Sequence, residues 1–215
     1  MIDTILFDWD GTLIDTAQQA FDAFQKTFLE LGAPLDFPTY ERIYSPNWYR
    51  MYEGLRLPRK KWKDADDLWI LYYTKENSGL MPGAITALSE LAHRNYALGI
   101  VTSGTRFRVL RELDAHGLAD VFWVVICSDD VVHKKPHPEG LEIAMKKLKK
   151  RAEVCCYVGD MPDDVEMGKR ARVLTIGIPS RYPANRNPED ARPDLFFDSL
   201  DEFLAEFLPK PVHSC

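Results

Sequence analysis

Short apolar runs along the chain alternate with stretches in which apolar residues recur at helical spacing. The apolar runs predict strands at 4–7, 98–101, 123–126, 154–158, 173–176 and 195–197. The intervening stretches predict helices at 107–116, 140–151, 165–171 and 200–208. Strands that alternate with helices favour parallel pairing through right-handed crossovers. The pattern therefore predicts an α/β fold built on a parallel sheet.

A different pattern occupies the segment between the first two strands. From 15 to 79 the strand signal disappears, and helices are predicted at 17–31, 40–52 and 62–75. Nine Tyr and Trp residues fall within the 34 residues from Tyr40 to Tyr73, and most of them must form the core of such short helices. We therefore expect a helical insertion at 15–79 and a sheet domain made of 1–14 and 80–215.

Composition excludes several classes of protein. With 46% hydrophobic and 28% charged residues, the 215-residue chain has the composition of an ordinary globular protein, and no apolar stretch approaches the roughly 20 residues that span a bilayer. The net charge of -6 disfavours nucleic-acid binding. The chain shows neither a secretory signal pattern nor a C-x-x-C pair. We expect a cytoplasmic protein with reduced cysteines, either a monomer or a homodimer.

Polar clusters follow four of the predicted strands. Three of them stand where their strands end, and the cluster with Lys135 follows its strand by a short loop. The carboxyl ends of parallel strands share one edge of a sheet, where such folds bind ligands. In chain order the clusters are Asp8-Trp9-Asp10-Gly11-Thr12, Thr102-Ser103-Gly104, Lys135 with Pro136-His137-Pro138, and Gly159-Asp160 with Asp164. The order and placement predict one site at that edge.

Each cluster taken alone has a structural explanation. Asp8 and Asp10 could belong to an Asx turn, although an EF-hand loop is excluded because Leu13 stands where that loop needs glycine. Thr102 could cap the helix at 107–116, Asp160 and Asp164 could cap the helix that is predicted from 165, and Lys135 could be an ordinary surface lysine. The occurrence of all four clusters in one chain favours a functional role for these residues.

The four clusters resemble the four motifs of the haloacid dehalogenase superfamily of phosphotransferases, over residues 5 to about 178. The helical insertion is similar to the type 1 cap of the phosphoglycolate phosphatase and β-phosphoglucomutase branch. The resemblance implies a Rossmann-like core with three α/β/α layers and an inserted helical cap domain.

The resemblance also implies residue roles. Asp8 is expected to attack phosphorus and form an aspartyl-phosphate, while Asp10 serves as acid and then as base. Mg²⁺ is expected on the Asp8 carboxylate, the Asp10 backbone carbonyl and Asp160, with Asp164 on a coordinated water or in the outer sphere. Phosphate oxygens are expected to contact Lys135, Thr102, Ser103 and Gly104.

We therefore expect a Mg²⁺-dependent phosphatase that hydrolyses a small-molecule phosphate monoester, such as a phosphoglycolate-like, sugar or nucleotide phosphate. The resemblance gives Asp10 the role of a proton donor, and this disfavours dehalogenation, since a departing halide needs no proton. A β-phosphoglucomutase-like mutase and a pyrophosphatase remain alternatives. A catalytically inactive module that binds phosphorylated ligands is the alternative from another class.

Overall fold

The computed structural model describes residues 1–45, 47–74, 78–183 and 187–208. These residues form two compact units. The first comprises Met1–Ile14, Leu80–Ser180 and the described part of Arg186–Cys215, and the second comprises Asp15–Gly79 and the described part of Arg181–Asn185.

The first unit contains a parallel sheet with the strand order β3-β2-β1-β4-β5-β6. The strands are β1 (Thr4–Phe7), β2 (Ala97–Val101), β3 (Val124–Ile126), β4 (Cys155–Gly159), β5 (Leu174–Gly177) and β6 (Leu195–Phe196). The four inner strands β2, β1, β4 and β5 are almost wholly buried, as expected for a parallel sheet that is covered on both faces. The expected α/β fold is confirmed.

Within the described residues the strands and loops are accompanied by nine α-helices. They are α1 (Ala17–Glu30), α2 (Phe37–Ile43), α3 (Trp48–Gly54), α4 (Trp62–Tyr73), α5 (Ala84–His93), α6 (Arg106–Ala115), α7 (Glu139–Leu148), α8 (Pro162–Ala171) and α9 (Leu200–Phe207). Helix α5 was not among the predicted elements.

Alternate residues of the strands face different helices. In β1, Ile5 and Phe7 belong to a buried cluster that includes residues of α5, α6 and α9, whereas Leu6 belongs to a cluster with residues of α7 and α8. Successive side chains of a strand point to opposite faces, so each face of the sheet carries its own helical layer. The three-layer arrangement implied by the resemblance is therefore present.

The helical unit has an aromatic core. Helices α1 and α4 pack together, with the rings of Phe24 and Trp69 5.4 Å apart, and α3 joins them where the ring of Tyr52 meets that of Phe28 at 5.6 Å. In the same unit Tyr182 stacks on Tyr44 at 5.0 Å, so the described part of Arg181–Asn185 belongs here rather than with the sheet. The function of 15–79 as a cap domain stays a prediction.

The expected helix at 40–52 is wrong, because α2 and α3 are separate helices. Tyr44 has ψ of 133°, which ends α2, and the Asn47 side chain accepts a hydrogen bond from the Tyr49 N–H to begin α3. The residue before a proline avoids helical geometry, and Ser45 precedes Pro46 in the sequence. The end of the predicted helix at 62–75 lies outside the described residues.

Two helix boundaries in the sheet unit also differ from expectation. Helix α7 ends at Leu148 rather than 151, because Lys149 adopts a left-handed conformation with φ of 56°. Helix α8 begins at Pro162, ahead of the expected 165, because proline suits the first turn of a helix.

Candidate active site

The ends of three neighbouring strands bring polar residues to one edge of the sheet. Phe7 of β1 pairs with Ile100 of β2 and with Val158 of β4, so the three strands end nearly level. The residues that follow them are Asp8, Thr102 and Asp160, and each of these is buried. The sheet therefore delivers a hydroxyl and two carboxylates to one region, as the sequence predicts.

Lys135 joins two of the acidic residues. Its Nζ donates hydrogen bonds of 2.7 Å to Oδ1 of Asp8 and of 2.7 Å to Oδ1 of Asp164. Burial alone lowers the pKa of Lys135, but the charges of Asp164 and Asp8 outweigh it, so the pKa lies above its ordinary value. Burial raises the pKa of Asp8 to about 7, although Lys135 opposes this effect. The ammonium group is therefore a fixed positive charge beside Asp8.

Asp160 is held by two hydroxyl groups. Thr12 Oγ1 donates to Oδ1 of Asp160 at 3.1 Å, and Ser180 Oγ donates to Oδ2 at 2.6 Å. Burial raises the pKa of Asp160 well above its ordinary value, and the charges of Asp164 and Asp8 add to the effect. The two hydroxyl groups fix the orientation of a carboxylate that is costly to ionise without a cation.

Asp164 lies in the first turn of α8. Its Oδ2 accepts a hydrogen bond of 3.0 Å from the Met161 N–H, and its Oδ1 accepts one of 3.3 Å from the Tyr157 hydroxyl. A Cβ at Gly159 would lie 2.4 Å from the Cβ of Asp164, so glycine is needed for this close approach. Capping and the contact with Lys135 are thus made by the same carboxylate.

The carboxylates fit a divalent cation. Oxygen atoms of Asp8, Asp160 and Asp164 lie within 4.8 Å of one another, and all three residues are buried. Three ionised carboxylates against the ammonium of Lys135 leave two negative charges, which a hard dication with oxygen ligands would balance. The expected contribution of Asp10 concerns its backbone carbonyl and stays a prediction.

The Asp10 side chain takes a different partner, Arg108 of α6. Nη1 of Arg108 donates to Oδ1 of Asp10 at 2.8 Å, while Nη2 donates to Oδ2. Nη1 also donates to both carboxylate oxygens of Glu112 at 3.3 and 3.1 Å, and Trp9 Nε1 donates to Oε2 of Glu112 at 2.8 Å. Arg108 and Glu112 are buried charged residues that the sequence analysis did not identify.

The segment after β2 is compact. Thr102 Oγ1 accepts a hydrogen bond of 3.0 Å from the Gly104 N–H, and Thr102 itself is buried. Ser103 is half-buried. A Cβ at Gly104 would lie 2.3 Å from Nη2 of Arg108, so this glycine leaves room for the guanidinium. The phosphate-binding roles of Thr102, Ser103 and Gly104 stay predictions.

A comparison with known families identifies the family of the chain. The family model of haloacid dehalogenase-like hydrolases matches residues 5–178. The chain belongs to this family. The family resemblance expected from the sequence is thereby confirmed, and the chain is an enzyme of the haloacid dehalogenase-like hydrolases.

Relatives of this hydrolase include proteins named pyrophosphatase PpaX. The one from Oceanobacillus iheyensis is 31% identical over 216 residues, which cover 94% of the chain and 95% of the relative. The one from Listeria monocytogenes serotype 4b is 32% identical over 208 residues, which cover 95% of both chains.

Solved structures share the fold. A predicted phosphoglycolate phosphatase from Haemophilus somnus 129PT has a TM-score of 0.87 at 20% identity, over 96% of this hydrolase and 98% of that chain. CbbY from Rhodobacter sphaeroides, in complex with phosphate, has a TM-score of 0.82 at 25% identity, over 94% and 96% of the two chains.

The sequence analysis missed two groups of residues around the site. Thr12 belongs to the first motif but has no role in the expected site, and Ser180 lies in the loop after β5, where no motif marks it. Arg108 and Glu112 carry a usable signal, since they stand one helical turn apart on the buried side of α6.

Among the described residues, no helix has the length and apolar character required to span a bilayer.

Proposed function

We propose that this hydrolase is a Mg²⁺-dependent phosphatase that cleaves a small-molecule phosphate monoester through an aspartyl-phosphate on Asp8. One observation carries the proposal: Lys135 bridges Asp8 and Asp164 within a buried group of three carboxylates whose negative charge exceeds that of the lysine. Such a group is costly unless a cation and an anionic substrate complete it.

Two displacement steps make up the proposed reaction. In the first, an Asp8 carboxylate oxygen forms a bond to phosphorus, the bond to the leaving oxygen breaks, and Asp10 gives that oxygen a proton. In the second, Asp10 takes a proton from a water molecule as the water attacks the phosphorus. Phosphate departs and Asp8 is regenerated, so one difficult displacement becomes two easier ones.

The surrounding residues neutralise and orient charge. Lys135 reduces the repulsion between Asp8 and the phosphate, and the Thr102 hydroxyl, which accepts from the Gly104 N–H, donates together with the Ser103 N–H to phosphate oxygens. The Asp8, Asp160 and Asp164 side chains with the Asp10 carbonyl would hold Mg²⁺. The bound ion would shield the approach of the anionic nucleophile to the anionic phosphate.

Inorganic pyrophosphate is the second candidate substrate. Relatives that are 31% and 32% identical over most of the chain are named pyrophosphatase PpaX. The same core groups could act on an anhydride, because a phosphate leaving group departs more readily than an alkoxide. Substrate choice within the class therefore needs a direct comparison.

The test is phosphate release from a panel of monoesters and from pyrophosphate, with Mg²⁺ and with chelator. We expect Asp8→Asn to lose activity on every compound, because the amide cannot attack phosphorus. Asp3→Asn is the matched control, since Asp3 stands just before β1 at the opposite end of that strand and should keep full activity. Mass spectrometry of quenched enzyme should find one phosphoryl group on Asp8.

Three results would contradict the proposal. An Asp8→Asn variant that retains turnover would exclude Asp8 as the nucleophile. Tight binding of phosphorylated compounds without any phosphate release would favour a binding module. Phosphoryl transfer between positions of one sugar without net release would favour a mutase.

A further inference from the structure

The Asp10 carboxylate accepts hydrogen bonds from the buried guanidinium of Arg108. Two separate nitrogen atoms of Arg108 each donate to a different carboxylate oxygen of Asp10, and the Nη1–Oδ1 distance is 2.8 Å. A planar fork that meets a planar carboxylate fixes both its direction and its tilt. Arg108 is only 7% exposed, so water competes little for these contacts.

The guanidinium is itself held in place by Glu112 and Trp9. Glu112, one turn later on α6, accepts from Nη1 of Arg108 at 3.1 and 3.3 Å and receives the indole N–H of Trp9 at 2.8 Å. Trp9 is fully buried and directly precedes Asp10 in the chain. The contacts therefore form a closed loop that begins and ends at neighbouring residues of the first motif.

Gly104 makes this loop possible. A Cβ at this position would lie 2.3 Å from Nη2 of Arg108 and 2.9 Å from a methyl group of Val109. Its φ is not in the left-handed region, so space rather than backbone freedom explains the glycine. Trp9, Gly104, Arg108 and Glu112 thus depend on one another physically.

We propose that Arg108, supported by Glu112 and Trp9, is a positioning residue that orients the Asp10 carboxylate for proton transfer. This inference rests on the proposed function, in which Asp10 exchanges a proton with the reacting oxygens. Each carboxyl oxygen has about two lone-pair sites, and the fork occupies one on each oxygen of Asp10. A remaining site can therefore carry the proton that Asp10 gives to the leaving oxygen, and the same site is free to take a proton from water in the second step. An Asp10 freed from the fork would sample orientations that cannot reach the leaving oxygen.

The expected signature depends on the leaving group. Departure of an alkoxide needs a proton, whereas departure of p-nitrophenolate does not. Loss of orientation should therefore slow alkyl phosphates far more than p-nitrophenyl phosphate. A purely structural defect that lowers the amount of active enzyme would slow both substrates by the same factor.

The experiment compares kcat/KM of Arg108→Gln and wild type on a series from p-nitrophenyl phosphate through phenyl phosphate to an alkyl phosphate. We expect a loss at least about tenfold greater for the alkyl ester than for the p-nitrophenyl ester. The matched control is Arg94→Gln. Arg94, just after α5, pairs with Glu90 four residues away at 2.6 Å, as Arg108 pairs with Glu112, and its substitution should leave both values unchanged.

Asp10→Asn provides the comparison that isolates the mechanism. If Arg108 acts through Asp10, the double variant Arg108→Gln/Asp10→Asn should match Asp10→Asn within about twofold, because residues acting as a unit are not additive. A uniform loss across the series, or additive losses in the double variant, would overturn the proposal. An Asp10→Asn variant with no dependence on leaving group would instead overturn the acid role in the proposed function.

Two milder variants serve if Arg108→Gln does not fold by circular dichroism. Trp9→Phe removes the N–H that holds Glu112, and Glu112→Gln weakens the support of Arg108 while the fork on Asp10 is kept. Both should shift the leaving-group dependence in the same direction by a smaller factor. Folded variants with the wild-type dependence would overturn the proposal.

Discussion

The metal-free protein should become less stable as the pH rises from 5 to 8. Burial raises the pKa of Asp8 to about 7 from an ordinary 3.8, and burial also raises the pKa of Asp160. Between pH 3.8 and about pH 7 the folded protein keeps a proton on Asp8 that the unfolded chain has lost, so a rise in pH favours unfolding. The stabilisation from Asp8 is complete below pH 4 and disappears as the pH passes through 7.

The size of the effect follows from the pKa difference. The step from 3.8 to about 7 corresponds to about 4 kcal/mol, of which the interval from pH 5 to 8 contains about 2–3 kcal/mol. A change of 1 kcal/mol moves Tm by about 2–4 °C in a chain of this length. We therefore expect the Tm of the chelated protein to fall by roughly 5–10 °C over this interval.

Mg²⁺ should act in the opposite sense. Its carboxylate ligands must be ionised, so it binds more tightly as the pH rises, and at 100 times Kd it adds about 2.7 kcal/mol to the stability. Calorimetry at four pH values, with chelator and with Mg²⁺, measures both slopes. The difference in Tm between the two conditions should widen from pH 5 to pH 8.

Two variants determine whether Asp8 is responsible. Asp8→Asn removes the titrating group, so the metal-free slope should flatten. In Asp3→Asn the slope should be unchanged. The hydrogen bond from Lys150 lowers the pKa of Asp3, so the protonation of Asp3 changes the stability only below about pH 4, outside this interval. A metal-free Tm that is constant or rises from pH 5 to 8, or an Asp8→Asn variant with the wild-type slope, would refute the reasoning.

Three further substitutions, one of them with a matched control, have definite expected outcomes. Gly11→Ala places a Cβ 2.3 Å from Oδ2 of Asp160 at a φ of +79°. It should lower the free energy of unfolding in urea by about 2–3 kcal/mol and weaken Mg²⁺ binding. Its control is Gly32→Ala, at φ +74° with open space around the Cβ, which should lower that free energy by only about 1 kcal/mol. Lys135→Met removes the ammonium from Asp8 and should lower kcat about 10²–10³-fold in steady-state assays; an unchanged kcat would contradict its role. Thr102→Val should raise the inhibition constant of inorganic phosphate about tenfold if its hydroxyl donates to phosphate.

The parallel sheet and the meeting of the motifs at one edge could be predicted because both depend on local pattern. The apolar run at β1 directly precedes Asp8, and the same relation holds between β2 and Thr102 and between β4 and Asp160. Once parallel pairing is inferred, the carboxyl ends of these strands must share an edge.

The support of the site could not be predicted in the same way. Arg108 lies 98 residues from Asp10, and Ser180 lies 20 residues from Asp160, so their contacts depend on side-chain packing across the fold. The break between α2 and α3 was missed for another reason: aromatic residues at helical spacing continue across it, while the extended ψ of Tyr44 interrupts the backbone. The spacing of hydrophobic residues predicts which side chains are buried, but it does not predict where one residue with extended backbone interrupts a helix.

The two acids of the first motif contact different cationic side chains, and this difference supports their separate proposed roles. Asp8 meets a single ammonium, that of Lys135, which it shares with Asp164, so its second oxygen is left to other partners such as a metal or phosphorus. Asp10 meets a guanidinium fork that holds both of its oxygens and fixes their direction. A nucleophile needs an accessible lone pair beside a balancing charge, whereas a proton carrier needs a fixed orientation. Lysine suits the first requirement as a compact point charge, and arginine suits the second as a planar fork. Exchange of the two cations, in a Lys135→Arg/Arg108→Lys variant, should therefore impair both steps even though the total charge is unchanged.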